Sequence, residues 1–517
     1  MKRSVLVNIV FAFFFALMLL GESLTMVTIV RLGMLPTLYV VILSVALVAF
    51  SLLIALLLFV KGYRSGKGRR VLGCVLMLLL LCGCAVIITV ATDVMNTLEA
   101  TNEETPVITT REIYVLADND VESLAQTGEY IYGYVENFEE TCVEQVLAEV
   151  ERQCGVKVAT AGYVNVFDMT DAILNHEIDA MILNGGYLSI LAENEEYAAL
   201  HKKIRVLAQV EVDVPEEVLN PEFDDLYEEV PFEPIEIDPD EGPQDFSHLT
   251  PFIVYISGSD TYGDQIVKTG RSDVNILVVV NPSTKQILLL NTPRDYYVQN
   301  TAGGGARDKL SHCGAFGIKC SMNTLSNLYN TELEYYVRLN FDGFKNLIDA
   351  MGGVTVYSDR AFTAVSRTYI KKGENVLDGQ QALDFARERK TLADGDNDRG
   401  KNQMQVIKAL IKKATSGTTI ITNYSEIMAS VDGMFQMNIP TKLIADMMKM
   451  QLSDMAQWNI VTYAVSGSND MAVCYSAPGM ELSVIKPYAD SVAKGTTLIN
   501  MVLAGEVLTD ELVKSIN

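Results

Sequence analysis

Residues Leu35–Val60 carry no charged side chain, and neither do residues Val71–Thr92. Lipid offers no partner to a bare backbone N–H or C=O, so an apolar run of ~20 residues that crosses a bilayer does so as a helix. The start of the chain is therefore predicted to be a membrane anchor. A weaker run, Val5–Leu20, is interrupted by Glu22 and resumes over Leu24–Val30. It reads as a third span. A signal-peptide core is the alternative, but no small-x-small cleavage site stands out. The predicted spans are 5–30, 35–60 and 71–93, within an anchor of residues 1–98. Lys61, Arg64, Lys67, Arg69 and Arg70 lie between the two stronger spans, with no acid among them. Such a loop stays cytoplasmic. Together with Lys2 and Arg3 it predicts a cytoplasmic N-terminus, with everything from about residue 95 outside the cell.

The formal net charge is −25. Duplex nucleic acid is thereby excluded as a partner, because binding it needs a broad basic surface. Cys74, Cys82 and Cys84 fall within a span and read as small apolar fillers. Cys142, Cys154, Cys313, Cys320 and Cys474 lie where disulfides are permitted, and Cys313 with Cys320 is the most local candidate pair.

Beyond the anchor, an acidic stretch over 212–248 carries Pro215, Pro221, Pro231, Pro234, Pro239 and Pro243. It cannot bury a core and reads as an extended linker. It separates two regions. Residues 107–211 form a small α/β accessory domain, with strands predicted at Glu112–Ala117 and Ile204–Val212. A helix is predicted at Phe138–Gln153, and a helix then a strand within Met169–Leu183. This domain shows no concentration of catalytic residue types and reads as a spacer or docking module. Residues 250–506 form the larger domain, predicted as a central mixed sheet flanked by helices.

Within it, Arg271–Asp295 holds two apolar runs around Asn-Pro-Ser-Thr, which predicts a hairpin. Its first run is apolar on both faces and so belongs in the middle of the sheet. A turn centred on Ser283 and Thr284 sets Asp273 against Arg294 and Arg271 against Tyr296. Further on, "FARERKTLADGDNDRGKNQ" (Phe385–Gln403) packs cations among acids. A helix is predicted over Asp378–Lys390 and another from about Arg399, capped by Asp398. Arg399 and Gln403, four residues apart, share a face.

Arginine suits phosphate because its guanidinium is planar, permanently charged and bidentate. Arg271, Arg294, Lys309, Arg387, Arg389 and Arg399, interspersed with Asp260, Asp273 and Asp396, suggest a pyrophosphate site clamped by arginines and assisted by Mg²⁺. Surface ion pairs such as Arg271–Asp273 and Arg389–Asp396 are the bland alternative. His312 reads as structural. A lipid tail would need an apolar channel, expected between the sheet and the helix carrying Ile407, Leu410 and Ile411. The methionines of 427–455 read as core packing.

The larger domain resembles the LytR-CpsA-Psr (LCP) family of cell-wall ligases. The resemblance rests on ordered motifs: "GSD" at 258–260, "GRSD" at 270–273, "TPRD" at 292–295, "DKLSHCGAFG" at 308–317, "YYVRLNFDGFKNLIDAMGGVTV" at 335–356 and the Phe385–Gln403 stretch. It implies transfer of a glycopolymer, such as a teichoic acid or capsular polysaccharide, from a polyprenyl-pyrophosphate lipid to peptidoglycan. It implies that Arg271, Asp273, Arg294, Arg387 and Arg389 are catalytic. Lys309, Arg399, Gln403 and Asp396 would bind substrate, and Asp260 and Asp273 would hold Mg²⁺ or Mn²⁺. Many relatives have arginine where this chain has Tyr262. A polyprenyl-pyrophosphate hydrolase and a non-enzymatic lipid-binding regulator are the alternative functions.

Overall fold

The computed structural model describes residues 2–60, 66–102, 108–136, 140–194, 196–213, 246, 248–266, 270–392, 396–416 and 426–516. Most of the predicted 212–248 linker lies outside the described residues.

Helices α1 (Lys2–Leu32), α2 (Thr37–Phe59) and α3 (Gly66–Asn102) form the anchor. Segments Asn8–Leu32, Thr37–Phe59 and Gly68–Met95 are long and apolar enough to cross a membrane. Ser51 of α2 donates to Glu22 of α1 at 2.5 Å, so the acid that interrupts the first apolar run bonds a neighbouring helix.

The accessory domain is a five-stranded mixed sheet. Its strands are β1 (Ile108–Leu116), β2 (Ile131–Val135), β3 (Ala159–Tyr163), β4 (Ala180–Leu183) and β5 (Ile204–Asp213), in the order β3-β2-β4-β1-β5. The predicted strands correspond to β1, β5 and, at the end of Met169–Leu183, β4, and the predicted helices to α4 (Glu140–Cys154) and α5 (Val166–Leu174). A short helix α6, Gly186–Leu191, follows β4.

The larger domain is built on a six-stranded mixed sheet. Strands β6 (Phe252–Ser259), β7 (Ser272–Asn281) and β8 (Gln286–Asn291) are antiparallel neighbours. Strand β9 (Tyr335–Leu339) adds parallel to β6, β10 (Phe435–Met437) antiparallel to β9, and β11 (Asn459–Ala464) parallel to β8. As its sequence predicts, β7 is central and buried almost throughout. Alternate residues go to opposite faces. Leu277 and Val279 join one core with helices α7 (Ile318–Tyr329) and, near the C-terminus, residues 489–503. Ile276, Val278 and Val280 join another with Met404 and Ile407.

The first of these cores does not stop at the domain edge. Tyr187, Ile190 and Leu191 of the accessory domain belong to the same buried cluster as Phe316 and Leu325. Asn184 Nδ2 donates to the Ala315 carbonyl at 2.8 Å, and the Tyr187 ring meets Phe316 edge-on at 6.0 Å. The anchor is packed as well: Met34 and Val94 share a buried cluster with Met428, Val431 and Ala445.

Cys313 and Cys320 are not bridged; all the cysteines are free thiols. The two thiols are nevertheless neighbours in one buried cluster and interact with each other; Cys313 Sγ also lies 3.7 Å from the Lys309 carbonyl, and Cys320 Sγ donates to Asn300 Oδ1 at 3.2 Å.

Candidate active site

The floor of the site is the hairpin. The β7–β8 ladder has the predicted register, running from Asn281↔Gln286 to Ile276↔Asn291. Beyond it, Thr292 N donates to the Asn275 carbonyl at 2.9 Å, which brings Arg294 beside Asp273. Arg294 Nη1 donates to Asp273 Oδ2 at 2.8 Å. The expected pairing of Arg271 with Tyr296 does not occur. The chain turns instead, Tyr296 N donating to the Pro293 carbonyl at 3.1 Å, and Tyr296 bridges Ile485. Nor does Arg271 pair with Asp273 as the bland alternative has it. Its Nη2 donates to Asp260, just past β6, and its Nη1 donates to Glu193 Oε1 at 2.7 Å. Glu193 comes from the accessory domain. Its other oxygen accepts from Lys309 Nζ at 2.6 Å.

These charges set one another. Burial pushes the Asp273 carboxyl up, but Arg294, Arg271 and Arg399 outweigh it and hold the group below the ordinary carboxylate range. Burial likewise raises Glu193, yet His312 and Lys309 hold it well below that range. Asp273 Oδ1 is buried and makes no hydrogen bond, although Oδ2 is bonded.

The opposite wall comes from two helices. The first is shorter than predicted: α9, following α8 (Phe341–Ala350), spans Gly379–Arg387 and is capped by Asp378 in a capping box. It ends because Glu388 turns extended and its carboxylate accepts from the backbone N–H of Val365 (2.7 Å), Arg389 (2.9 Å) and Thr391 (3.0 Å). Arg387 is thus the last helical residue, and Arg389 lies on the turn beyond. The Arg387 guanidinium lies 4.1 Å over the Phe341 ring and donates to Tyr262 Oη at 2.7 Å. The second helix, α10, begins earlier than predicted, spanning Asp396–Thr415. Asp398 is therefore within the helix and not its cap. It pairs instead with Arg360 at 3.1 Å and Lys401 at 3.1 Å. Arg399 and Gln403 are buried and face the site. Asn402 Nδ2 donates to the Phe385 carbonyl at 3.0 Å and ties α10 to α9. The Asp396 side chain lies outside the described residues.

Both walls line one cavity of about 980 Å³. Asp260, Arg271, Asp273, Arg294, Lys309, Arg387, Arg389, Arg399 and Gln403 face its polar end. Away from them the lining turns apolar: Val278, Phe344, Leu347, Ile407, Leu410, Ile411 and Phe435. Among the described residues no three His, Cys, Asp or Glu side chains converge as a metal cage. Asp260 and Asp273 still fit a cation that keeps phosphate oxygens as further ligands, because Asp273 Oδ1 is buried and lacks a donor. His312 is fully buried, with Nδ1 within 3.0 Å of Asp308 Oδ1 and 2.7 Å of Ser476 Oγ.

The sequence reading missed Glu193 and Asp295 as lining residues. Asp295 stands in the Thr-Pro-Arg-Asp motif and could have been found there. Glu193 sits in an acidic run, Glu193–Glu196, that resembles any solvated helix end.

A cationic pocket opening into an apolar channel, on an α/β domain joined to three apolar helices, defines a membrane-anchored protein whose cavity suits an amphipathic anion. The LytR_cpsA_psr family model matches residues 224–487, half of the chain, and the chain belongs to that family. A polyisoprenyl-teichoic acid–peptidoglycan teichoic acid transferase TagU of Bacillus cereus is 36% identical over 39% of this chain and 64% of its own length. The TagU of Enterococcus faecalis is 38% identical over 38% of this chain and 64% of that protein. The chain thus spans a little under two thirds of these curated relatives. The crystal structure of B. subtilis TagV, 27% identical, covers 50% of this chain and 99% of the other with a TM-score of 0.42.

Proposed function

We propose that this chain transfers a glycopolymer phosphate from a polyprenyl-pyrophosphate lipid to peptidoglycan on the outer side of the membrane. The observation that carries this reading is the single cavity with two chemistries: guanidinium and ammonium groups at one end, aliphatic and aromatic side chains at the other. A pyrophosphate on a long hydrocarbon tail presents the same two chemistries in the same order. The activity in the relatives' names, transfer of polyisoprenyl-linked teichoic acid to peptidoglycan, is of this class.

In the reaction, the acceptor hydroxyl oxygen bonds to the sugar-bearing phosphorus. The bond from that phosphorus to the bridging oxygen breaks, polyprenyl phosphate leaves with the electron pair, and the hydroxyl proton passes to water. Negative charge builds on the bridging oxygen as it leaves. Cations already fixed around it stabilise that charge without reorganising. Arg271 and Arg294 are fixed by Asp260 and Asp273, and Arg387 by Phe341 and Tyr262. Mg²⁺, or Mn²⁺ in its place, bound at Asp260 and Asp273 would neutralise phosphate charge. The outward placement of the domain is supported by Arg69 and Arg70, which stand at the end of α3 remote from its C-terminal Val94, the residue packed on the large domain.

The test is reconstitution. Full-length protein in detergent, given Mg²⁺, a lipid-linked glycopolymer and peptidoglycan oligomers, is expected to yield ligated product, and chelation is expected to abolish it. Release of free polymer phosphate alone would make the protein a hydrolase. No turnover, with a relative active in parallel, would make it a binding protein.

A further inference from the structure

Among the described residues, Glu193 is the one carboxylate of the cavity wall that comes from outside the larger domain. It follows α6, in a turn closed by Glu193 N donating to the Ile190 carbonyl at 3.1 Å. That turn is held against the larger domain by the Asn184–Ala315 bond and the Tyr187–Phe316 contact. The carboxylate is therefore aimed into the site by the docking of a whole domain.

What it does there follows from what it covers. Lys309 has only 5% of its side chain exposed, and its Nζ is bonded to Glu193. Arg271 gives Nη1 to Glu193 and Nη2 to Asp260. Beneath the carboxylate, His312 Nε2 is fully buried, makes no hydrogen bond and lies 3.6 Å from Glu193 Oε1. Its other nitrogen is held by Asp308 and Ser476, so the ring cannot turn to find a partner without losing those contacts. With His312 doubly protonated, the form that Asp308 and Glu193 favour against the pull of burial, three donors converge on one spot: a guanidinium, an ammonium and an imidazolium. A planar carboxylate hydrogen-bonds the first two and reaches the third only as an ion pair at 3.6 Å. A tetrahedral phosphate has oxygens for all three. Glu193 is also a poor candidate for the general base, since His312 and Lys309 hold its carboxyl well below the ordinary range against the pull of burial.

We infer that Glu193 is an internal anion of the phosphate site. Its carboxylate occupies Arg271 and Lys309 in place of phosphate, and a pyrophosphate binds by displacing it. The accessory domain is then a gate on the site. This inference rests on the pyrophosphate reading above.

The experiment is binding of geranyl pyrophosphate to the full chain in detergent micelles, followed by calorimetry. Glu193→Gln keeps the shape and removes the charge, so it is expected to bind about tenfold tighter than wild type, as relief of one like-charge contact predicts. Glu193→Asp keeps the charge and is expected to stay within about threefold of wild type. Equal or weaker binding by folded Glu193→Gln overturns the inference, because Glu193 would then be a brace for Arg271 and Lys309. Wild type alone supplies a second readout. Amide exchange over residues 186–194 is expected to rise when geranyl pyrophosphate is added, since Glu193 is released. Unchanged or slower exchange overturns the gate even if the variant does not fold. If no form binds geranyl pyrophosphate, the function proposed above falls and the gate falls with it. Binding with no gain in Glu193→Gln removes the gate alone.

Discussion

At the scale of single residues, the arginines depend on an acid placed between two of them. Glu388 gives its carboxylate to three backbone N–H groups, which stops α9 at Arg387 and turns Arg389 toward the cavity. Burial raises its carboxyl, but the N–H groups of Thr391, Val365 and Arg389 prevail and hold it below the ordinary value. A carboxyl depressed by folding contributes stability above its unfolded value of about 4.3, and that contribution is lost as pH falls through the folded value. Glu388→Gln is therefore expected to cost about 1.5–3 kcal/mol at pH 7, the worth of hydrogen bonds to a charged group. The gap between variant and wild-type melting temperatures should close as pH falls from about 5 to about 3. A gap independent of pH would show that the charge of Glu388 contributes nothing. The cations themselves were legible because arginine and lysine recur in short motifs whose chemistry is local. Glu193 was not, because its bond to Arg271 joins residues 78 apart through the docking of two domains.

At the scale of elements, turn chemistry made the hairpin readable. Asn-Pro-Ser-Thr between two apolar runs fixed one register, and that register alone puts Asp273 beside Arg294. The helix boundaries were less readable, because side chains decided them: Glu388 ended α9 early, and Asp398 was drawn to Arg360 and Lys401 within α10. Strands β2 and β3 went unseen because each is only five residues long and contains glycine. Gly400 shows how closely α10 is set on the sheet. A Cβ there would lie 2.4 Å from Asn291 Nδ2, at the end of β8. Alanine would gain about 1 kcal/mol in helix propensity, but overpacking costs about 1–3 kcal/mol. Gly400→Ala is thus expected to lower the melting temperature and weaken geranyl pyrophosphate binding, since the neighbouring Arg399 and nearby Gln403 must shift with the helix. Adding Asn291→Ala should restore stability. A stable, tight-binding Gly400→Ala protein would mean that α10 can move off β8 without consequence.

At the scale of the whole molecule, the anchor meets the larger domain at the apolar end of the cavity. Met34, between α1 and α2, and Val94 of α3 are buried with Met428, Val431 and Ala445. Leu347 and Phe435 pack against that cluster and also line the cavity. Tyr39 of α2 adds a bond from its hydroxyl to the Leu452 carbonyl at 3.5 Å. The seam between anchor and domain is therefore apolar where the channel reaches it. A tail that leaves the bilayer there passes from lipid to protein without exposing hydrocarbon to water, which would cost about 0.8 kcal/mol per CH₂. A charge set into the seam imposes a desolvation cost on that path and leaves the cation cluster untouched. Met428→Arg in full-length protein reconstituted in vesicles is expected to cut turnover of a long-chain donor held in the bilayer severalfold. The same protein should use a short geranyl-linked donor, supplied from water, at the wild-type rate. Equal losses on both donors would place the damage in the fold of the domain, and no loss on either would mean that the tail enters by another route.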